Sequence, residues 1–217
     1  MSIRVLIADD HPLVRDGLRF SIERSRRDIE IVGEAANGVE VLQMAEKFPT
    51  DIFILDITMP RLNGLDTARE LIRQRPGVKV IILSFHDART FVEEAMKVGA
   101  RGYLTKETAS RNIVEAISEV HLGRLYLSPD VSHHMTGRVG RGADDNGTGQ
   151  SSGTLTLQER KILQLIAEGR TAKEIAAELG RAVNTVNAHR KNMMAKLDLH
   201  KQTELVRFAV REGIAKL

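Results

Sequence analysis

The sequence predicts an α/β domain on a doubly wound five-stranded parallel sheet, followed by a small all-α domain of four helices. Three observations carry this. Short β-branched runs alternate with amphipathic stretches through the first 121 residues; a glycine-rich break follows at 137–153; and from residue 154 only helical spacing is found. Strands are expected at Ile3–Ala8, Ile29–Glu34, Ile52–Leu55, Val78–Leu83 and Gly102–Leu104, and helices at about 11–24, 37–47, 64–74, 88–98 and 108–121. Several strand runs are almost continuously apolar, as strands covered on both faces require.

The boundaries follow from local chemistry. Leu127–Met135 reads as a short helix with Ser128 at its cap and Pro129 at its first position. Gly137 to Gly153 holds six glycines among Asp144, Asp145, Asn146, Ser151 and Ser152, a composition that cannot bury a core and reads as a flexible linker. The expected division is therefore 1–122, a connecting stretch at 123–153, and 154–217. In the last part, Thr156-Leu-Gln-Glu159 and Thr171-Ala-Lys-Glu174 each match a reciprocal capping box. The helices they open end at Gly169 and Gly180, a third spans about 182–197, and a fourth spans 202–212 before Gly213.

Composition excludes several classes. The 217 residues contain no cysteine, hence no disulfide scaffold or thiolate chemistry. No run approaches the ~18 apolar residues of a membrane span, and Met1-Ser2-Ile3-Arg4-Val5 enters a strand at once, so neither a membrane segment nor a signal peptide is expected. The default is a cytoplasmic protein. Charge is unevenly distributed: residues 1–127 hold 18 Lys/Arg against 19 Asp/Glu, whereas 154–217 hold 12 against 7. That excess suits a polyanion partner or merely a basic surface, and charge alone does not separate the two.

Chemistry gathers at the strand ends. Asp9 and Asp10 follow the first strand, Asp56 the third, Ser84 ends the fourth and Lys106 follows the fifth. A single such Asp is ordinarily a turn or cap, but a parallel sheet puts all five groups on one edge, where ligands bind. Three carboxylates together repel unless a cation is present, and an oxygen-rich site of this kind suits Mg²⁺. A hydroxyl and an ammonium opposite complete a pocket for a phosphoryl group.

Val5-Leu-Ile-Ala-Asp9-Asp10-His-Pro, Phe53-Ile-Leu-Asp56-Ile-Thr-Met-Pro60, Ile82-Leu-Ser84 and Gly102-Tyr103-Leu-Thr-Lys106 resemble the receiver domains of response regulators, over about residues 1–122. The resemblance implies a flavodoxin-like fold with Asp56 as phosphoacceptor. Asp10 would bind Mg²⁺, with Asp9 assisting through water and the Thr58 carbonyl adding a ligand. Ser84 and Lys106 would hold phosphoryl oxygens, and Tyr103 would be an aromatic switch that turns inward when Ser84 moves. The phosphoryl source would be a phosphohistidine on a sensor histidine kinase; His11 is read as shaping its loop. Two positions depart from the wider pattern. Glu107 replaces the common proline, without which a cis bond costs about 3–4 kcal/mol. Phe85 replaces a small residue, and its ring is expected to narrow access to Asp56 for small phosphodonors.

Leu155-Thr-Leu-Gln-Glu159, Gly169-Arg-Thr171-Ala-Lys173-Glu174-Ile175-Ala176 and Asn184-Thr185-Val186-Asn-Ala-His189 resemble the LuxR-type helix-turn-helix, over about 154–214. Jointly the two halves resemble the NarL/FixJ class, implying phosphorylation-controlled dimerisation and binding to double-stranded DNA. At 100° per residue, Val186, His189, Met193 and Leu197 share the face that should pack on Ile175, Leu179 and the first helix of this domain. Asn184, Ala188, Lys191 and Ala195 lie opposite, with Asn187 beside them. Asn184, Asn187, Ala188 and Lys191 are the expected base-facing residues, and Thr171, Lys173 and Arg190 the phosphate-facing ones. Ala182 stands where relatives carry a capping Ser, a loss of about 1 kcal/mol, and Arg181 replaces a more usual apolar residue. Asn187 replaces a frequent Lys, so relatives' site preferences do not transfer. On the last helix Leu205, Val206, Ala209 and Val210 form a stripe of which part must cover the core; by the resemblance the rest would pair two DNA-binding domains, and the stripe alone reads as core cover.

The strongest rival, an aspartyl phosphatase, usually carries a second Asp two residues after the first, where this chain has Thr58. A nucleotide-binding domain needs a glycine-rich turn after the first strand, where Asp9-Asp10-His-Pro stands. A regulator independent of phosphorylation would have no use for five filled pocket positions. The reading is thus a regulator of transcription and not an enzyme.

Overall fold

The computed structural model describes residues 2–26, 28–133 and 155–215. Contacts divide the chain into two units, Met1–Val139 and Gly140–Leu217. The glycine-rich stretch at 137–153 and the expected helix end at Met135 lie outside the described residues.

The first unit is a parallel sheet of β1 (Ile3–Ala8), β2 (Ile29–Ala35), β3 (Ile52–Asp56), β4 (Lys79–Ser84), β5 (Gly102–Thr105) and β6 (Tyr126–Leu127), in the order β2-β1-β3-β4-β5-β6. Six strands replace the expected five. The extra one has two residues pairing with Gly102 and Tyr103, too few to print an alternating pattern.

Strand alternation explains the layers. Leu6, Ala8, Phe53, Leu55, Val80, Ile82 and Tyr103 face one way, under α2 (Gly38–Lys47), α3 (Gly64–Gln74) and α4 (Arg89–Val98). Val5, Ile7, Ile52, Ile54, Ile81, Leu83 and Leu104 face the other, under α1 (Pro12–Ser25) and α5 (Lys106–His121). Each fully buried aliphatic chain is worth roughly 1.5–3 kcal/mol, so the two faces bind the helices irrespective of their individual propensities.

The winding of the sheet reverses between β1 and β3, and the start of α3 packs closely against the end of β3 there. A Cβ on Gly64 would fall 2.0 Å from the Asp56 carbonyl oxygen. Only glycine lets α3 begin hard against the end of β3. Asn63 caps that helix by accepting from the Asp66 amide at 2.9 Å. After β6 comes α6 (Pro129–Ser132), one turn with Pro129 at its start.

The second unit packs α7 (Leu157–Ala167), α8 (Ala172–Leu179), α9 (Val183–Lys196) and α10 (Gln202–Arg211) around Leu163, Leu165, Ile175, Val186, Met193, Leu205 and Ala209. Both expected capping boxes form, Thr156 with Glu159 and Thr171 with Glu174. Gly180 takes the left-handed conformation (φ 60°) that ends α8 and turns the chain into α9. Ala182 makes no side-chain cap, as its methyl dictates. No helix among the described residues is long and apolar enough to cross a membrane.

Candidate functional site

In a doubly wound sheet the crevice opens at the carboxyl ends of the strands that flank the reversal, here β1 and β3. Asp9 and Asp56 are fully buried there and Asp10 is partly exposed. Lys106, the first residue of α5, sends its ammonium back between them, 2.6 Å from Asp9 Oδ2 and 2.9 Å from Asp56 Oδ2. Its side chain is only 2% exposed. Lys106 thus forms a buried ion pair with both carboxylates. His11 completes the cluster. Its amide donates to Asp9 Oδ1 at 2.9 Å, and its ring Nδ1 lies 3.1 Å from that oxygen and 2.8 Å from Asp10 Oδ1. Ligand atoms of Asp9, Asp10, His11 and Asp56 fall within 4.8 Å of one another. Three carboxylates against one buried ammonium leave an excess of negative charge that fits a hard divalent cation such as Mg²⁺.

Ser84 ends β4 at 1% exposure, and its Oγ accepts from the His86 amide at 2.9 Å. Tyr103, fully buried, donates its hydroxyl to the His86 carbonyl at 2.6 Å. Burial pushes the phenol up to about 12, so it stays a protonated donor at neutral pH. The ring expected to turn inward is inward in this structure. Thr58 is buried in the loop after β3. Phe85 is 60% exposed, its ring centre 4.8 Å from the Lys106 ammonium and 6.5 Å from the His11 ring, edge to face. Two rings therefore border the mouth of the pocket. The bond after Lys106 is trans.

On α9, Val186 and Met193 are buried, and His189 and Leu197 half-buried. Asn184, Ala188, Lys191 and Ala195 are exposed, with Asn187 intermediate. This is the division that the helical period predicts. Asn187, Arg190 and Lys191 line a groove of about 700 Å³ with Met194, Ala195, Leu199 and His200. Lys173 is exposed, and the Arg190 guanidinium makes a long 3.5 Å contact with Gln202. Thr171 is exposed, but its hydroxyl is committed to the capping box, 2.8 Å from Glu174 Oε2 and 3.3 Å from the Glu174 amide. Near the end of α9, Lys196 donates to both oxygens of Glu159 at 2.8 Å, tying that helix to the capping box of α7. Burial would raise this carboxyl, but Lys196 and Thr156 outweigh it and hold it below the usual range.

Residues 5–118 match the response regulator receiver domain family, and residues 153–209 match the bacterial regulatory proteins of the luxR family. The response regulator UvrY of Escherichia coli K12 is 32% identical over 212 residues, covering 98% of this chain and 95% of that one. The chain belongs to the NarL/FixJ class of response regulators. The transcriptional regulatory protein MctR of Rhizobium johnstonii is 37% identical over 213 residues, again covering 98% and 95%. Among solved structures, RcsB of Salmonella enterica serovar Typhimurium, bound to promoter DNA with a phosphomimetic, superposes with a TM-score of 0.61. It is 23% identical and covers all of both chains, a likeness of fold. This response regulator thus joins a receiver domain to a LuxR-type DNA-binding domain.

The structure brings Asp9, Asp10, Asp56 and Lys106 into direct proximity, with Ser84 and Tyr103 linked to each other through His86. Sequence reading gave His11 only a loop role and missed its contact with both carboxylates, although its place directly after Asp9-Asp10 was the available signal. Ser128 stands at the cap position of α6 with Pro129 at its first position, as expected, but its side chain makes no cap hydrogen bond, and its hydroxyl accepts from the Thr105 amide at 3.4 Å. A one-turn helix offers little to cap, whereas the β5 end has an amide to satisfy.

Proposed function

We propose that this response regulator is switched by phosphorylation of Asp56 and that the switch controls dimerisation and sequence-specific binding to double-stranded DNA. The proposed division is a receiver at 1–122, a connecting stretch at 123–153 and a DNA-binding domain at 154–217. The carrying observation is the convergence of Asp9, Asp10 and Asp56 on one buried ammonium at the strand ends. An Asp56 oxygen would attack the phosphorus of a phosphohistidine on a partner sensor kinase. The new O–P bond forms as the N–P bond breaks and the imidazole leaves. Lys106 would neutralise phosphoryl oxygens and Ser84 would donate to one of them. Asp9, Asp10, Asp56 and the Thr58 carbonyl would hold Mg²⁺, which supplies further charge neutralisation. On α9, Asn184, Asn187, Ala188 and Lys191 would face bases; Lys173, Arg190 and Thr171 would face phosphates, Thr171 through what its capping role leaves free.

The test measures operator affinity and oligomeric state before and after verified phosphorylation of the full chain. Affinity is expected to rise about 5–150-fold, the usual range of coupling between two sites. Identical affinity and identical mass in the two states would refute the switch.

Phe85 bears on the donor. Its ring over Lys106 contributes about 0.5–1 kcal/mol of cation–π attraction and narrows the mouth. Phe85→Ala is expected to raise labelling by acetyl phosphate severalfold while transfer from a kinase is kept. Unchanged acetyl phosphate rates would show that the ring does not restrict entry.

A further inference from the structure

We infer that the segment leaving the receiver sheet, Tyr126–Ser132, is a latch on the phosphorylation site: Asp130 positions Lys106 through Thr105, and occupancy of Asp56 by a phosphoryl group loosens it. This deepens the reading of Asp56 given above and rests on it.

The latch is built from contacts between the segment after α5 and the end of β5. β6 extends the sheet beside β5, with Tyr126 and Leu127 paired to Gly102 and Tyr103. The Ser128 amide donates to the Tyr103 carbonyl at 2.9 Å, and the Ser128 hydroxyl, fully buried, accepts from the Thr105 amide at 3.4 Å. Thr105 is the residue before Lys106 and stands at the cap of α5, yet its hydroxyl caps nothing in that helix. It donates instead to the Asp130 carboxylate and lies 2.9 Å from the Thr108 hydroxyl. Partial burial would raise the Asp130 carboxyl, but the Ser128 and Thr105 hydroxyls outweigh that effect and hold it below the usual range. An anion at the start of α5 also meets the positive end of that helix. Val131, fully buried, seats the turn in the same core as Tyr103.

Asp130, through the Thr105 hydroxyl, and Ser128, through the Thr105 amide, therefore hold the residue next to Lys106, whose ammonium neutralises Asp9 and Asp56. In the unmodified site Lys106 sits against carboxylate oxygens at 2.6 and 2.9 Å. A phosphoryl group on Asp56 moves the negative charge outward by an O–P bond, and the ammonium must follow it. Lys106 is the first residue of α5, so its shift pulls on Thr105, whose amide and hydroxyl are both latch contacts. Bonds of this kind are directional and weaken steeply when misaligned. Linkage makes the effect reciprocal: what loosens the latch must favour the occupied site by the same factor.

The test uses the full chain with beryllofluoride and Mg²⁺ as the phosphoryl mimic, its binding read by ¹⁹F NMR and the latch by amide hydrogen exchange. Occupancy is expected to speed exchange at Ser128 and Thr105 by about tenfold. Asp130→Ala should exchange fast without the mimic and bind it about tenfold more tightly. Asp130→Asn, which keeps an acceptor for the Thr105 hydroxyl, should stay near wild type. A merely structural Asp130 would lower stability without tightening the site. Mimic binding that depends on Asp56 but leaves exchange unchanged, or an Asp130→Ala variant with wild-type affinity, overturns the latch alone. Absence of any binding that is lost in Asp56→Asn overturns the reading of the pocket, and the latch with it.

Discussion

Replacing Asp56 with asparagine is expected to reduce phosphoryl transfer from a histidine kinase to background while leaving the receiver folded. The amide has nearly the shape of the carboxylate but no anionic oxygen, so it cannot form the acyl phosphate. Stability should hold or rise, because Asp56 is one of three carboxylates whose oxygens crowd within 4.8 Å, counting His11, and like charges in one site repel. Lys106→Ala probes the other side of the pocket. Removing a preorganised donor to a developing negative charge costs about 10²–10³ in rate, and the loss leaves Asp9 and Asp56 without the ammonium that lies 2.6 and 2.9 Å from them. Phosphotransfer with a radiolabelled kinase, alongside thermal unfolding of each variant, separates the effects. Equal labelling of wild type and Asp56→Asn would remove Asp56 as the acceptor.

How far the sequence reaches depends on what each feature requires. The five long strands were legible because both faces of the sheet are covered, so Ile52–Leu55 or Ile81–Leu83 stands out as an apolar run whatever surrounds it. Strand ends then place Asp9, Asp10, Asp56, Ser84 and Lys106 on one edge by topology alone. The helix start at Lys106, two residues before the expected 108, was not legible, since Thr105 looks like part of a loop and its hydroxyl is spent on Asp130. The pairing of β6 and the mouth formed by Phe85 and His11 depend on contacts between residues far apart in sequence. So does the Glu159–Lys196 pair, 37 residues apart, which ties α9 to α7. Periodicity says which face of a helix is buried, and distant side chains say where the other face points.

Replacing Asn187 or Lys191 with alanine is expected to cost about 1–3 kcal/mol on the best operator if either makes a bidentate base contact. Preference at one base position should flatten with it. Lys191 and Ala188 stand on the exposed side of α9, opposite Val186 and Met193, which are 2% and 0% exposed. Neither substitution removes core volume, so the domain should unfold at nearly the wild-type temperature. Lys173, exposed on α8, is placed for phosphate and not for base edges. Lys173→Ala should therefore weaken all sequences alike and lower the salt slope by about one. The three variants are compared by binding titrations over single-base operator variants at several salt concentrations. A base reader changes the ranking of sequences at every salt, whereas a phosphate contact changes the slope and keeps the ranking. If Asn187→Ala and Lys191→Ala both leave the ranking intact, α9 does not read the bases through these two side chains.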